Sequence, residues 1–283
     1  MLEVTNLKKN YDGFSLACTL KVESGCITGL VGRNGSGKST TFKSVLGLIS
    51  KDSGEIKIFG KDIVNLTAED KQKIGVILSN SGFSGYLNIR SISNILEAEY
   101  EAFDKKEFLN LCKHFELPIK KQIKEFSTGM KAKLNVLIAL SHKAELLILD
   151  EPTSGLDVIA REEVLDMLRD YMEKNEKCSI LISSHIASDL EKLCDQIYMI
   201  HNGNIILQED TDVLLDSYAL LKITKEVYEK MDKQYLLKVK KESWGYSCLT
   251  NQKQFYLDNY PDIAIEKGGI DDLISMMNGG ESA

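Results

Sequence analysis

The chain is predicted to be an α/β protein whose largely parallel sheet carries a phosphate-binding loop. Two observations predict this. Gly32 to Thr40 read Gly-Arg-Asn-Gly-Ser-Gly-Lys-Ser-Thr, with Gly32, Gly37, Lys38 and Ser39 at the fixed positions of G-x-x-x-x-G-K-[ST]. Further on, the four aliphatics Leu146 to Leu149 deliver Asp150 and Glu151 at a strand's C-terminal edge, where ligands sit in an open parallel sheet.

The loop's spacing has a mechanical purpose. Its glycines let backbone N–H groups turn inward around a polyphosphate, and the helix beginning near Gly37 aims its positive end at the same phosphates. Lys38 adds a full charge at the β/γ-phosphates, and the Ser39 hydroxyl is a hard oxygen suited to Mg²⁺. The nucleotide-binding set is therefore Gly32, Arg33, Asn34, Gly35, Ser36, Gly37, Lys38, Ser39 and Thr40. Cys26 to Val31 reads as a buried strand and Thr41 to Leu46 has helical spacing, so strand, loop and helix come in the order the motif needs.

The elements follow in order. Residues 1 to about 25 alternate apolar and polar positions (Leu2, Val4, Leu16, Cys18, Leu20, Val22) and predict antiparallel strands. Gly54 to Gly60 is another alternating strand. Ile74 to Leu78 is a continuous apolar run, which predicts a central buried strand. From Ile89 to Ser141 the spacing is helical, broken at Pro118: a helical insertion in the α/β core. Leu146 to Leu149 is a strand, Glu162 to Met172 an amphipathic helix, Cys178 to Ser183 a strand and Leu190 to Leu193 a short helix. Ile197 to Ile200 and Ile205 to Leu207 are strands joined by Asn202-Gly203, a tight-hairpin signal. After Asp210 the pattern weakens into several short elements with Trp244 and the Lys-rich stretch Lys238 to Lys241, expected to be a solvated face. The expected domains are 1–210, with a helical subdomain at about 84–143, and a small accessory region at 211–283.

Composition narrows the function classes. A net charge of −7 argues against a nucleic-acid partner, whose binding rests on basic patches. No stretch approaches the ~20 apolar residues of a membrane span, and Met1 to Thr5 lacks a charged-then-apolar signal region, so a cytosolic chain is expected. The six scattered cysteines have no C-x-x-C pair and read as free buried thiols.

Beside the loop, Asp150 can support Mg²⁺ through its waters, and Glu151 can polarise the water that attacks a γ-phosphate. His185 follows a strand in Ser-Ser-His and can donate to a γ-phosphate oxygen; His114, His142 and His201 read as structural. Phe126 to Met130 precede a helical run and make a second anion-binding helix start, one that a single loop can use only if another copy brings it.

This ordered set — Gly32 to Thr40, Phe126 to Met130, Leu146 to Glu151, Ser154 to Asp157 and His185 — resembles the ATP-binding subunit of an ABC transporter over residues 1–210. The resemblance implies the P-loop NTPase fold of ABC type: an α/β core with an antiparallel β subdomain, a helical subdomain and, here, a C-terminal accessory region. It implies an ATPase using ATP and Mg²⁺, with Lys38, Glu151 and His185 catalytic and Ser39 and Asp150 on the metal. Ser127 to Met130 resembles the signature motif, usually Ser-Gly-Gly-Gln, from which Thr128 and Met130 depart. A partner copy, identical or homologous, would contribute Ser127, Gly129 and Asp157, and Tyr11 would stack on adenine. A separate transmembrane subunit on the cytoplasmic face of the membrane would receive the motion through a groove near Ser79 to Tyr86.

One departure affects coupling and maximal turnover but not ATP binding: the family's glutamine after the Ile74 to Leu78 strand is Ser79 here, followed by Asn80, and either Asn80 or an extra water would have to substitute for it. Finer similarity points to exporters of peptides, antibiotics or amphipathic compounds. The alternatives are a soluble ABC ATPase, such as an iron–sulfur cluster assembly subunit, or a non-hydrolytic ATP-dependent regulator.

Overall fold

A computed structural model gives the structure of residues 1–79, 82–279 and 281–282. The N-terminal alternation folds as antiparallel β1 (Leu2–Tyr11) and β2 (Phe14–Val22), followed by β3 (Ile27–Val31) and α1 (Lys38–Val45). Then come β4 (Ser53–Ile58), β5 (Lys61–Asp62), α2 (Ala68–Gln72) and β6 (Ile74–Ile77). The helical insertion contains α3 (Ile89–Glu99), α4 (Lys105–His114) and α5 (Thr128–Leu140). The core resumes with β7 (Leu146–Asp150), α6 (Val158–Lys174), β8 (Ser179–Ser184), α7 (Ala187–Leu193), β9 (Gln196–His201) and β10 (Asn204–Asp210).

These strands form one sheet in the order β5-β4-β1-β2-β10-β9-β3-β8-β7-β6. Strands β9, β3, β8, β7 and β6 run parallel to one another, which brings their C-terminal ends to one edge. Successive residues of β7 face opposite sides: Leu147 and Leu149 join the core under α5, α6 and α7, while Leu146 and Ile148 join Phe42 and Val45 of α1 on the other. Each such fully buried aliphatic contributes about 1.5–3 kcal/mol.

The structure corrects the expectation of a central Ile74 strand. β6 is the outermost strand of the sheet, and Val76 is 39% exposed. Its apolar run reflects the packing of α5 over it: a Cβ at Gly75 would meet the Ala139 carbonyl oxygen at 2.3 Å.

Past residue 210 lies more order than the sequence pattern conveys. Here α8 (Thr211–Ser217), β11 (Ala219–Ile223), α9 (Lys225–Lys230), β12 (Leu236–Glu242) and β13 (Gly245–Thr250) follow one another. The chain ends with α10 (Lys253–Asn259), β14 (Ala264–Lys267), α11 (Ile270–Gly279) and β15 (Glu281–Ser282). Their strands build a five-stranded antiparallel sheet, β14-β11-β13-β12-β15. One face, with Leu221, Ile223 and Cys248, packs on Tyr256; the other, with Leu220 and Leu249, joins Leu273 of α11 and Leu190 of α7 in the main core.

The predicted Asn202-Gly203 turn forms with both residues at positive φ, +45° and +77°. It braces the phosphate loop, because Gly203 N donates to Ser36 O at 2.8 Å and Ala17 N donates to Gly203 O at 2.7 Å. A Cβ at Gly203 would lie 1.9 Å from the Ser15 carbonyl oxygen. Gly203→Ala is therefore expected to lower stability by about 2–4 kcal/mol. Urea unfolding would check this; an unchanged midpoint would show that the turn relaxes freely.

Among the described residues, no helix is long and apolar enough to cross a membrane. The cysteines are free and, apart from half-buried Cys26, buried. Burial pushes the Cys18 and Cys112 thiols up to about 12, which keeps them unreactive. His142 is structural: it stacks on Tyr100 at 4.1 Å, and burial lowers its pKa so that it stays neutral.

Candidate functional site

Strand register assembles the site. Val31 pairs with Ser184, Asp150 with Ser183, and Ile77 with Leu149. The loop after β3, the two acids closing β7, His185 after β8 and Ser79 after β6 therefore emerge side by side. Together they line a cleft of about 720 Å³ with Phe14 and, from α5, Thr128, Lys131 and Asn135.

The loop between Val31 and α1 is tightly built. Gly35 and Gly37 take positive φ, +81° and +116°, which turns the backbone into the curl the motif requires. A Cβ at Gly32 would meet Ile200 O at 2.4 Å, so glycine is required there by space. Arg33, Asn34, Gly35, Gly37, Lys38, Ser39 and Thr40 line the cleft, while Gly32 and Ser36 are buried behind it. Lys38 is 5% exposed; its Nζ donates to Gly32 O at 2.6 Å and lies 3.3 Å from Glu151 Oε1.

The acids differ in setting. Asp150 is 1% exposed and each of its oxygens accepts a serine hydroxyl: Oδ1 from Ser183 at 2.7 Å and Oδ2 from Ser79 at 3.2 Å. Glu151 faces the cleft. Its φ of +55° is sparsely populated for a non-glycine residue, a strain often found at functional sites. Two donors hold that turn in place: Glu151 N donates to Ser183 Oγ, and His185 N donates to Glu151 Oε2, at 3.0 and 3.2 Å. His185 Nδ1 is also hydrogen-bonded to the same Oε2. One carboxylate thus bridges the loop lysine and the histidine.

The second helix start forms as its sequence implies: Ser127 caps α5, with Met130 N donating to its Oγ at 3.2 Å. Asp157 caps α6 by accepting from Ala160 N at 2.9 Å. Ser127, Gly129 and Asp157 do not line the cleft of their own chain, although Thr128 and Ser154 do. The two caps are neighbours, since a Cβ at Gly129 would touch Ala160 Cβ at 3.1 Å. Beyond them Val158 and Ile159 are 74% and 76% exposed.

Tyr11 does not line the cleft; Phe14, across the β1–β2 turn with its ring centroid 6.5 Å away, does. Sequence reasoning missed Phe14 because an aromatic in a strand is indistinguishable from core until the hairpin's position is known. Asn135 was missed likewise, hidden in the middle of a helical run. Asn80 lies outside the described residues. Ser39 and Asp150 offer hard oxygens in one cleft, and no group of three or more His, Cys, Asp or Glu side chains suited to a metal occurs among the described residues. That donor set fits a Mg²⁺ ion held by one or two protein oxygens and by phosphates.

Residues 17–154 match the ABC transporter family. The chain is 37% identical over 212 residues to the bacitracin transport ATP-binding protein BcrA of Bacillus licheniformis, covering 73% of this chain and 68% of that one. It is 36% identical over 220 residues to the lantibiotic transport ATP-binding protein SrtF of Streptococcus pyogenes, covering 75% of this chain and 92% of that one. Among solved structures, an ATP-binding subunit of an ABC transporter superposes with a TM-score of 0.67 at 27% identity, over 76% of this chain and 91% of that chain. A dimeric ATP-binding cassette with ADP and inorganic phosphate shares the fold, with a TM-score of 0.66 at 19% identity over 75% and 99%. The soluble and non-hydrolytic alternatives are not favoured, and the chain belongs to the ABC transporter family as one of its ATP-hydrolysing, ATP-binding subunits.

Proposed function

We propose that two copies of this chain, or this chain and a homologue, close head to tail around two ATP molecules and so drive a separate membrane subunit that exports a peptide antibiotic. The observation that carries this reading is the division of the motifs. The loop, Asp150, Glu151 and His185 converge in one cleft, while Ser127, Gly129 and Asp157 lie outside it. A second chain can bring its own Ser127 and Gly129, at the positive end of α5, to the phosphates.

In this reading residues 1–210 are the ATP-binding domain, with the helical subdomain at about 84–143, and 211–283 a small C-terminal accessory region. The loop from Gly32 to Thr40 holds the phosphates, with Lys38 supplying a full positive charge. Ser39 and Asp150 hold Mg²⁺, which when bound neutralises phosphate charge. Glu151 orients and deprotonates the attacking water, and His185, its hydrogen-bond partner, donates to the transferred phosphoryl group. Phe14 in the cleft wall, with Tyr11 beside it, offers a surface for adenine. Phosphate charge compensated from two chains at once glues the pair together, and hydrolysis releases it.

The antibiotic cargo rests on the relatives, whose names specify bacitracin and lantibiotic transport. Peripheral placement on the cytoplasmic face follows from the need for a membrane partner. Purification of the tagged chain from its native membranes in mild detergent tests the reading. Co-purification of a polytopic membrane protein is the expected outcome; an exclusively soluble set of partners would refute it.

A further inference from the structure

We infer that Ser79 is a positioning residue for metal binding and that it acts through Asp150. The inference rests on the reading of the cleft as a Mg·ATP site. Ser79 follows the outermost strand β6, yet its Oγ donates to Asp150 Oδ2 at 3.2 Å. On the other side, Ser183 of β8 donates to Oδ1 at 2.7 Å. The Asp150 carboxylate is thus gripped from both neighbouring strands, and at 1% exposure it has little bulk water to replace a lost donor. Ser183 is fixed in register opposite Asp150 and also accepts from Glu151 N. Ser79 lies past the end of β6, outside that register.

The length of the side chain decides the mode of action. A glutamine at this position would carry its amide well into the cleft, whereas a serine hydroxyl reaches no farther than its neighbour's carboxylate. Ser79 therefore touches the metal site at one remove. Hydrogen bonds to ligating carboxylates set their orientation, and losing one typically costs metal affinity by about 10–100-fold. At 3.2 Å the Ser79 bond is long, which puts its expected effect at the lower end.

The test titrates Mn²⁺ by electron paramagnetic resonance in the presence of a non-hydrolysable ATP analogue, AMP-PNP. The full chain is compared with Ser79→Ala and Ser79→Thr. AMP-PNP affinity without metal is measured in parallel by calorimetry in EDTA. Ser79→Ala is expected to raise the Mn²⁺ Kd about tenfold, Ser79→Thr to restore it by returning the hydroxyl, and the metal-free nucleotide Kd to stay constant. A Mn²⁺ Kd for Ser79→Ala within about twofold of the parent would overturn the proposal, as would an equal weakening of metal-free nucleotide binding. A parent chain that binds AMP-PNP but no Mn²⁺ would overturn the metal assignment and this proposal with it. Thermal unfolding of each variant separates a folding defect from a loss of metal affinity.

Discussion

Glu151→Gln is expected to abolish steady-state ATP hydrolysis while ATP still binds. The substitution keeps the side chain's shape and removes its charge and basicity, so the attacking water loses its proton acceptor. General-base removal of this kind costs about 10²–10⁴-fold. Binding survives because Glu151 does not cradle phosphates; it pairs with Lys38 at 3.3 Å and with His185. Neutralising it frees Lys38 from that ion pair for the nucleotide. With ATP bound and uncleaved, the two-chain complex should persist, so size exclusion with ATP should shift the variant to a dimer. A phosphate-release assay gives the primary readout. Hydrolysis at the parent rate would remove Glu151 from the role of base.

Lys38→Ala is expected to act at the earlier step, weakening ATP binding itself. Lys38 is 5% exposed and so is held in place, with Gly32 O at 2.6 Å and Arg33 O at 3.4 Å as its backbone partners. A charge-assisted hydrogen bond contributes about 1.5–3 kcal/mol, so losing the cation beside a polyphosphate should weaken binding by roughly 10–100-fold. Truncation also leaves the Gly32 carbonyl without its donor, and a small fall in thermal stability should accompany the loss. Calorimetric titration with ATP decides the matter. An unchanged affinity would mean that backbone N–H groups alone hold the phosphates. The contrast between the two variants is diagnostic: one binds without turning over, and the other binds weakly.

The amino-acid sequence determined the chemistry wherever that chemistry lies in consecutive residues. The curl of Gly32 to Lys38, the cap at Ser127, the turn at Asn202-Gly203 and the acids after Leu146 to Leu149 each depend on neighbours a few positions apart. Fixed offsets of glycine, hydroxyl and aliphatic residues specify local backbone geometry, so these parts were legible. Tertiary structure alone decided what meets across strands. Ile74 to Leu78 is apolar enough for a central strand, but pairing left β6 at the edge with α5 covering it. The hairpin placed Phe14 rather than Tyr11 in the cleft wall. The accessory sheet was hidden because its interior strand β11 is covered on both faces, so Ala219, Leu220 and Leu221 are all buried and the alternation that marks a half-exposed strand is lost. The Ser79–Asp150 contact joins residues 71 positions apart. Such contacts are selected by whole-chain packing, which no local pattern encodes.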